Sequence, residues 1–289
     1  MNVRTVPRSS LKTVMQESWV DTARKPYVSG KTAYIPVKDG ELYDEVLDER
    51  TPYRGRGYQK MGDTVIFHGD MPTKEDVKEI IAFLHPSCIL HSAGQTGVMR
   101  IPEITVLKGT PHDVTFRESG ITYTLNPAKV MFSQGNRGEK QRLKRMIRPG
   151  ERIADMFAGI GYFTLTAAKA GAQVHAMEFN PDSFAYLQTN IAANHLGGLI
   201  TPELGDCRTH LSGIYDRILM GHFDAPEFLS YALSHAKEGT VLHIHALGDK
   251  ETAIIGAVVS AGFRYELTKH KVKKYAAYQI HYVYDLVLT

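Results

Sequence analysis

The chain has 289 residues, 43% hydrophobic and 22% charged, enough for one large or two modest domains with cores of their own. A net charge of +3 neither requires nor opposes a nucleic-acid partner, so the local distribution of basic residues has to decide that question. Two cysteines, Cys88 and Cys207, exclude a disulfide framework; no apolar run reaches membrane-spanning length, and the opening MNVRTVPRSSLK lacks the apolar stretch of a signal peptide, so a soluble cytoplasmic protein without membrane contact is expected.

Residues 1–60 read as a basic N-terminal segment, with Arg4, Arg8, Lys12, Arg24 and Lys25, a strand at Tyr34–Val37 and a charged, helical run at Asp44–Arg50. The segment Thr51–Tyr58 is basic, aromatic and glycine-rich. Its Arg54 and Arg56 suit a phosphate backbone, and a solvated loop is the competing reading. Residues 61–128 read as a small α+β domain. It has strands at Asp63–Phe67, Cys88–Leu90, Ile104–Leu107, Asp113–Phe116 and Ile121–Leu125, and an amphipathic helix at Asp76–Leu84. His85, Cys88 and His91 have metal-ligand spacing, but no fourth ligand lies nearby and alternate strand residues point apart, so no metal is expected.

Residues 129–289 begin with the basic helix Glu139–Ile147, carrying Lys140, Arg142, Lys144 and Arg145. A short apolar strand, Ile153–Met156, runs into Gly159 and Gly161; a helix over Tyr162–Ala170 ends at Gly171, and a second strand, Gln173–Met177, ends on Glu178. This is a β-loop-α-β unit with a glycine loop at the carboxyl end of its first strand, where open α/β sheets bind ligands. The dinucleotide fingerprint fails, because Thr164 stands where G-x-G-x-x-G needs its third glycine. Asp155 would repel a pyrophosphate and suits a cationic ligand, which a sulfonium with an α-amino group is. The pattern Asp155, Phe157, Gly159, Gly161 resembles the first motif of S-adenosylmethionine-dependent transferases, with Glu178 placed for the ribose; a structural glycine turn in another doubly wound domain is the competing reading.

Beyond Pro181 helices and strands alternate. Helices are expected at Ser183–Asn194, Phe228–Ala236 and Glu251–Ala261, strands at Ile200–Leu204, Tyr215–Met220 and Thr240–Ala246, and two closing strands around Lys269–Lys274. The fold class expected is α/β, a doubly wound, mostly parallel, Rossmann-like sheet preceded by the small α+β domain. The third strand ends in Asp206-Cys207, where a carboxylate and backbone N–H can read an adenine edge. The fourth ends in Met220-Gly221-His222, without the N-P-P-Y that orients an amine for methylation. His243 and His245 share one face of a buried strand and read as core histidines.

Val130–Ser133, Glu139-Lys140, Asp155–Phe163, Glu178–Pro181, Gly205-Asp206 and Leu242–His245 together resemble one family of tRNA position-37 modifying enzymes, the wybutosine-pathway aminocarboxypropyltransferases of archaeal type. These are relatives of the tRNA guanine-37 N1-methyltransferases, which tend to carry an arginine shortly after the Phe-Ser and an N-x-P after the fourth strand. Gln134-Gly135-Asn136 and Met220-Gly221-His222 stand in those places here. The resemblance implies transfer of the 3-amino-3-carboxypropyl group of S-adenosylmethionine to a carbon of 4-demethylwyosine in phenylalanine tRNA, releasing methylthioadenosine. It also implies Ser133 and Lys140 on the cofactor, Glu178 on the ribose, and Asp206 with Cys207 on the adenine. Arg54, Arg56, Arg142, Lys144 and Arg145 are expected to meet tRNA, and a monomer is expected. A guanine-37 N1-methyltransferase is the alternative, and a tRNA-binding protein without chemistry is opposed by the intact glycine loop and both acids.

Overall fold

Two compact units divide the chain, Met1–Arg54 and Gly55–Thr289. The structure, a computed structural model, describes residues 1–48, 53–132, 137–276 and 279–289. The first unit contains β1 (Asn2–Pro7), α1 (Leu11–Val14), β2 (Tyr27–Ser29), β3 (Thr32–Pro36) and β4 (Glu45–Val46), in a four-stranded sheet of order β2-β3-β1-β4. Val20, Ala33 and Ile35 form its small core. The helix expected over Asp44–Arg50 is not formed in its described part. Asp44 instead accepts a hydrogen bond from the Thr5 backbone N–H at 2.7 Å, which holds the chain extended, and β4 pairs antiparallel with β1. Residues 49 and 50 of that expectation lie outside the described residues.

The second unit begins with β5 (Gln59–Met61), β6 (Thr64–His68), α2 (Lys74–Leu84), β7 (Cys88–Thr96) and β8 (Ile101–Lys108). The strands form a sheet of order β5-β6-β7-β8, in which β6 and β7 run parallel because α2 supplies the crossover. Thr73 and Asp76 close a capping box at the start of α2. A hairpin follows, β9 (Val114–Glu118) and β10 (Ile121–Leu125), then α3 (Arg137–Met146). Next come β11 (Arg152–Asp155), α4 (Thr164–Lys169), β12 (Gln173–Glu178), α5 (Pro181–Ala193), β13 (Ile200–Leu204), α6 (Cys207–His210), β14 (Arg217–Met220), α7 (Leu229–Leu233), β15 (Val241–Leu247), α8 (Glu251–Ser260), β16 (Tyr265–Ala276) and β17 (Gln279–Leu288).

These strands build one seven-stranded sheet of order β13-β12-β11-β14-β15-β17-β16, parallel except for the antiparallel pairings of β17 with β15 and β16. Order reverses between β11 and β14, the crevice where such sheets receive ligands. Alternate residues of β11 face opposite cores: Ile153 packs with Leu165, Leu187 and Leu219, whereas Ala154 packs with Ile218, Leu242 and Ile254. The first of these cores also holds Met61, Leu90 and Tyr123, so segments 61–128 and 129–289 share one interior. Asn190 of α5 and its C-cap residue Asn194 reinforce this junction by accepting from the N–H groups of Thr124 and Thr122 at 2.7 and 2.9 Å.

The closing strands differ from expectation in one respect. Lys269–Lys274 is no turn; β16 runs through it to Ala276, with irregular register between Lys271 and Lys273 and again between Lys274 and Ala276. Lysines there read as a loop because β16 is the edge strand, where charge is tolerated.

Candidate functional site

The glycine loop is built on a buried acid. Asp155 is fully buried at the end of β11, accepts a 2.7 Å hydrogen bond from the Thr164 hydroxyl, and takes a longer one, 3.4 Å, from the Phe157 N–H. Thr164, which broke the dinucleotide pattern, therefore clasps the loop's own carboxyl group. Burial pushes Asp155 up to about 6, against the pull of these hydrogen bonds. Gly159 and Gly161 take φ of +56° and +102°, and a Cβ on them would come within 2.7 Å of the Tyr162 ring and 2.8 Å of Leu165, so neither tolerates a side chain.

Glu178, at the end of β12, is fixed from both sides. It accepts from the Gly159 N–H at 2.6 Å and the Asn180 N–H at 2.7 Å. Burial raises its pKa, the two N–H groups resist, and the nearby Asp155 adds to the rise. Asp206 caps α6 through the Arg208 N–H at 2.9 Å and grips the Arg208 guanidinium, which holds its carboxyl below the ordinary range. Cys207 is buried, with its thiol pushed up to about 12, so it offers packing and backbone rather than a thiolate.

These groups surround a cavity of about 520 Å³, which Phe157, Gly159, Glu178, Asp206 and Cys207 all line. Phe157 has the His222 ring 5.4 Å away, tilted by 32°, and meets Phe228 edge-on at 5.1 Å, giving the cavity an aromatic corner. The cavity is also lined by Arg100, Phe223, Lys273 and Tyr275. A cavity with hydroxyl-accepting carboxylate, aromatic corner and close-approach glycine suits a nucleoside, and its size exceeds that of one nucleoside alone.

Residues 114–273 match the TRM5/TYW2 methyltransferase domain. The chain belongs to the TRM5/TYW2 family. A curated relative, the tRNA(Phe) (4-demethylwyosine(37)-C(7)) aminocarboxypropyltransferase of Methanocaldococcus jannaschii, is 33% identical over 244 residues, which cover 80% of this chain and 97% of the relative. The structure of M. jannaschii TYW2 in complex with AdoMet superposes with a TM-score of 0.65 at 28% identity, covering 80% of this chain and 99% of that one. Trm5b from Pyrococcus abyssi gives 0.74 at 26% identity and covers all of both chains. The fold is that of the class I S-adenosylmethionine-dependent transferases.

Other expected site residues of this TRM5/TYW2 chain are placed differently. Asp155 and Gly161 shape the loop from beneath and do not line the cavity. Lys140 does not reach it either: it is buried, ion-paired with Glu118, and lies near the Tyr123 and Phe132 rings. Ser133 lies outside the described residues. Arg142 was expected to face tRNA, but its guanidinium is held between Glu139 and Asp285, whose carboxylates raise its pKa despite burial. Asp285 in turn accepts from His243 at 2.5 Å, and Arg217 joins His243 to Glu151 at 2.6 and 2.8 Å. Arg56 donates to the carbonyls of His68, Asp70 and Met71, and so pins that loop. Lys144 and Arg145 are exposed on α3, and Arg54 is exposed.

Among the described residues no group of three His, Cys, Asp or Glu is arranged to hold a metal ion, and no helix is long and apolar enough to cross a membrane. His91 is instead hydrogen-bonded to the Gly69 carbonyl at 2.7 Å. His243 is the core histidine expected, but His245 also lines the cavity, bonded to His281 at 2.9 Å. Burial keeps this pair neutral, with His281 lowered to about 4. Sequence reading missed Phe228, Phe223, Arg100 and Lys273; only the aromatic after Met220-Gly221-His222 carried a positional signal, since it follows a strand end.

Proposed function

We propose that this chain is an S-adenosylmethionine-dependent tRNA aminocarboxypropyltransferase acting on 4-demethylwyosine at position 37 of phenylalanine tRNA. The observation that carries this reading is the relation to the M. jannaschii aminocarboxypropyltransferase, which extends over 97% of that enzyme. The loop after β14 supports it, because Met220-Gly221-His222 offers no amide or carbonyl pair to orient an amine nucleophile.

In this reading Glu178 takes the ribose hydroxyls, held ready by the Gly159 and Asn180 N–H groups. Phe157 and Phe228, packed edge to face, form an aromatic corner for the adenine, and Asp206 with the Cys207 backbone meets its edge. Asp155 places negative charge beneath the loop without touching the ligand. Lys140, spent on Glu118, is not assigned to the methionine tail; Ser133 keeps that role on the resemblance alone. When bound, S-adenosylmethionine supplies a sulfonium whose side-chain methylene takes the new bond to the acceptor carbon, the C–S electron pair leaving with methylthioadenosine and the acceptor carbon giving up its proton. The protein's task is selection among three sulfonium carbons, a matter of presentation. The active species is a monomer and needs no metal.

Chromatography of the spent cofactor, with tRNA carrying the tricyclic base, tests the reading: methylthioadenosine is expected. S-adenosylhomocysteine as the main product would overturn it in favour of the second reading, a guanine-37 N1-methyltransferase, which the full-length superposition on Trm5b favours.

A further inference from the structure

Four residues that line the cavity have no part in holding the cofactor in the reading above, yet they converge on it from three distant segments. Arg100 comes from the turn between β7 and β8, Phe223 from the loop after β14, and Lys273 and Tyr275 from β16. The Arg100 guanidinium lies over the Phe223 ring at 5.0 Å, and Phe223 meets Tyr275 edge-on at 5.0 Å. Among the described residues neither cation is ion-paired; Arg100 spends only its Nε, on Gln95 at 2.9 Å. Burial and the neighbouring Arg100 charge both lower the pKa of Lys273, so two cations line the cavity here without a compensating carboxylate.

The backbone holds them there against its own preference. Arg100 has a φ of +52°, a left-handed conformation that a non-glycine residue adopts at a cost. In β16 the register slips so that Lys271 opposes Tyr282 and Lys273 opposes His281. Without the extra residue Val272 would oppose His281, and Lys273 would point to the other face. The bulge thus puts Lys273 on the face of His281, beside the cavity.

We propose that Arg100, Lys273, Phe223 and Tyr275 form the acceptor-nucleotide subsite, the two cations taking the phosphodiester of the extruded nucleotide and the Tyr275 ring, braced edge-on by Phe223, stacking on its base. The inference rests on the tRNA reading above and specifies how the acceptor is held. Cations interleaved with aromatic rings are how proteins grip unstacked nucleotides. Tyr275 and Met99 are 47% and 37% exposed, so the subsite opens at the rim, where a polymer can enter and a small cofactor tail need not reach. A base must leave its stack to reach a carbon inside this cavity, and its phosphate has to follow.

The test uses the full chain and two ligands. The double variant Arg100→Gln, Lys273→Gln is titrated with S-adenosylmethionine by calorimetry, and with tRNA(Phe) transcript across a salt series. Expected are unchanged cofactor affinity, about tenfold weaker RNA binding, and a log–log salt slope shallower by about 1–2. Unchanged RNA binding overturns the proposal, as does a loss confined to the cofactor, which would assign the cations to its carboxylate. Tyr275→Ala is then compared on anticodon stem-loop RNA with and without the base at position 37. Loss of the preference for the base-bearing RNA is expected, with Tyr275→Phe retaining it; full preference in Tyr275→Ala overturns the stacking role. Because Tyr275 is half exposed, its replacement leaves the fold intact, and melting curves verify this. The product assay above scores the activity separately: a wrong product there sinks that reading while these binding results still stand or fall alone.

Discussion

Replacing Asp155 by Asn should make the protein more stable at neutral pH, and by an amount that depends on pH. Asp155 is fully buried and its carboxyl is raised from 3.8 to about 6, so between those values the folded chain keeps a proton that the unfolded chain has released. Stability is therefore greatest below pH 4 as far as this group is concerned, and is lost as pH rises through 6. About two pH units at about 1.4 kcal/mol each make roughly 3 kcal/mol by pH 7. Asparagine keeps the acceptor for the Phe157 N–H, and its amide can donate to the Thr164 hydroxyl in place of the bond that hydroxyl now gives. Urea unfolding of both proteins from pH 4 to pH 7 reads the difference directly. The gap should widen by about 3 kcal/mol across the series. A gap that stays constant refutes the idea that burial raises the Asp155 carboxyl and that its ionised form is held at a cost.

Glu178→Ala should weaken S-adenosylmethionine binding by about 1–3 kcal/mol in calorimetry, the loss expected when a hydrogen-bonding carboxylate is removed from a buried partner. Arg142→Met should leave Asp285 and Glu139 without their shared cation and cost roughly 3–5 kcal/mol in denaturant unfolding. Charge reversal at Lys144 and Arg145, both exposed, should flatten the salt dependence of tRNA affinity without a change in melting temperature; an unaltered slope would make that helix face merely solvated. Gly161→Ala should cost roughly 1–3 kcal/mol of stability, since φ of +102° and a 2.8 Å approach to Leu165 both oppose a side chain.

The cofactor half of the fold was legible because its signals are local. A strand, a glycine loop, a helix and an acid sit within 27 residues of one another, Arg152 to Glu178, and the structure joins Glu178 to Gly159 within that span. Charged residues were legible only by type, because their partners arrive from elsewhere. Arg142 reads as a free basic residue until Asp285 is brought beside it, and Lys140 until Glu118 is. The same blindness hid the cations that line the cavity. Lys273 reads as one lysine of a basic run, and only a bulge, which leaves no mark in composition, turns it toward His281. Asp44–Arg50 failed for a third reason: two residues of β4 depend wholly on pairing with β1, and no periodicity can be seen in two residues.

The linkage of Arg142 to Asp285 also sets a timetable for assembly. The two residues are 143 positions apart, and Asp285 serves His243 as well as Arg142. On a ribosome releasing about 5–20 residues per second, Arg142 emerges roughly ten seconds before the carboxylate of Asp285 that pairs with it. Until β17 inserts between β15 and β16, a half-sheet stands with an open edge, and Arg142 has Glu139 but not Asp285. Nascent chains stalled short of Asp285 should therefore recruit chaperones, and β17 acts as the latch that ties β16 to the rest of the sheet.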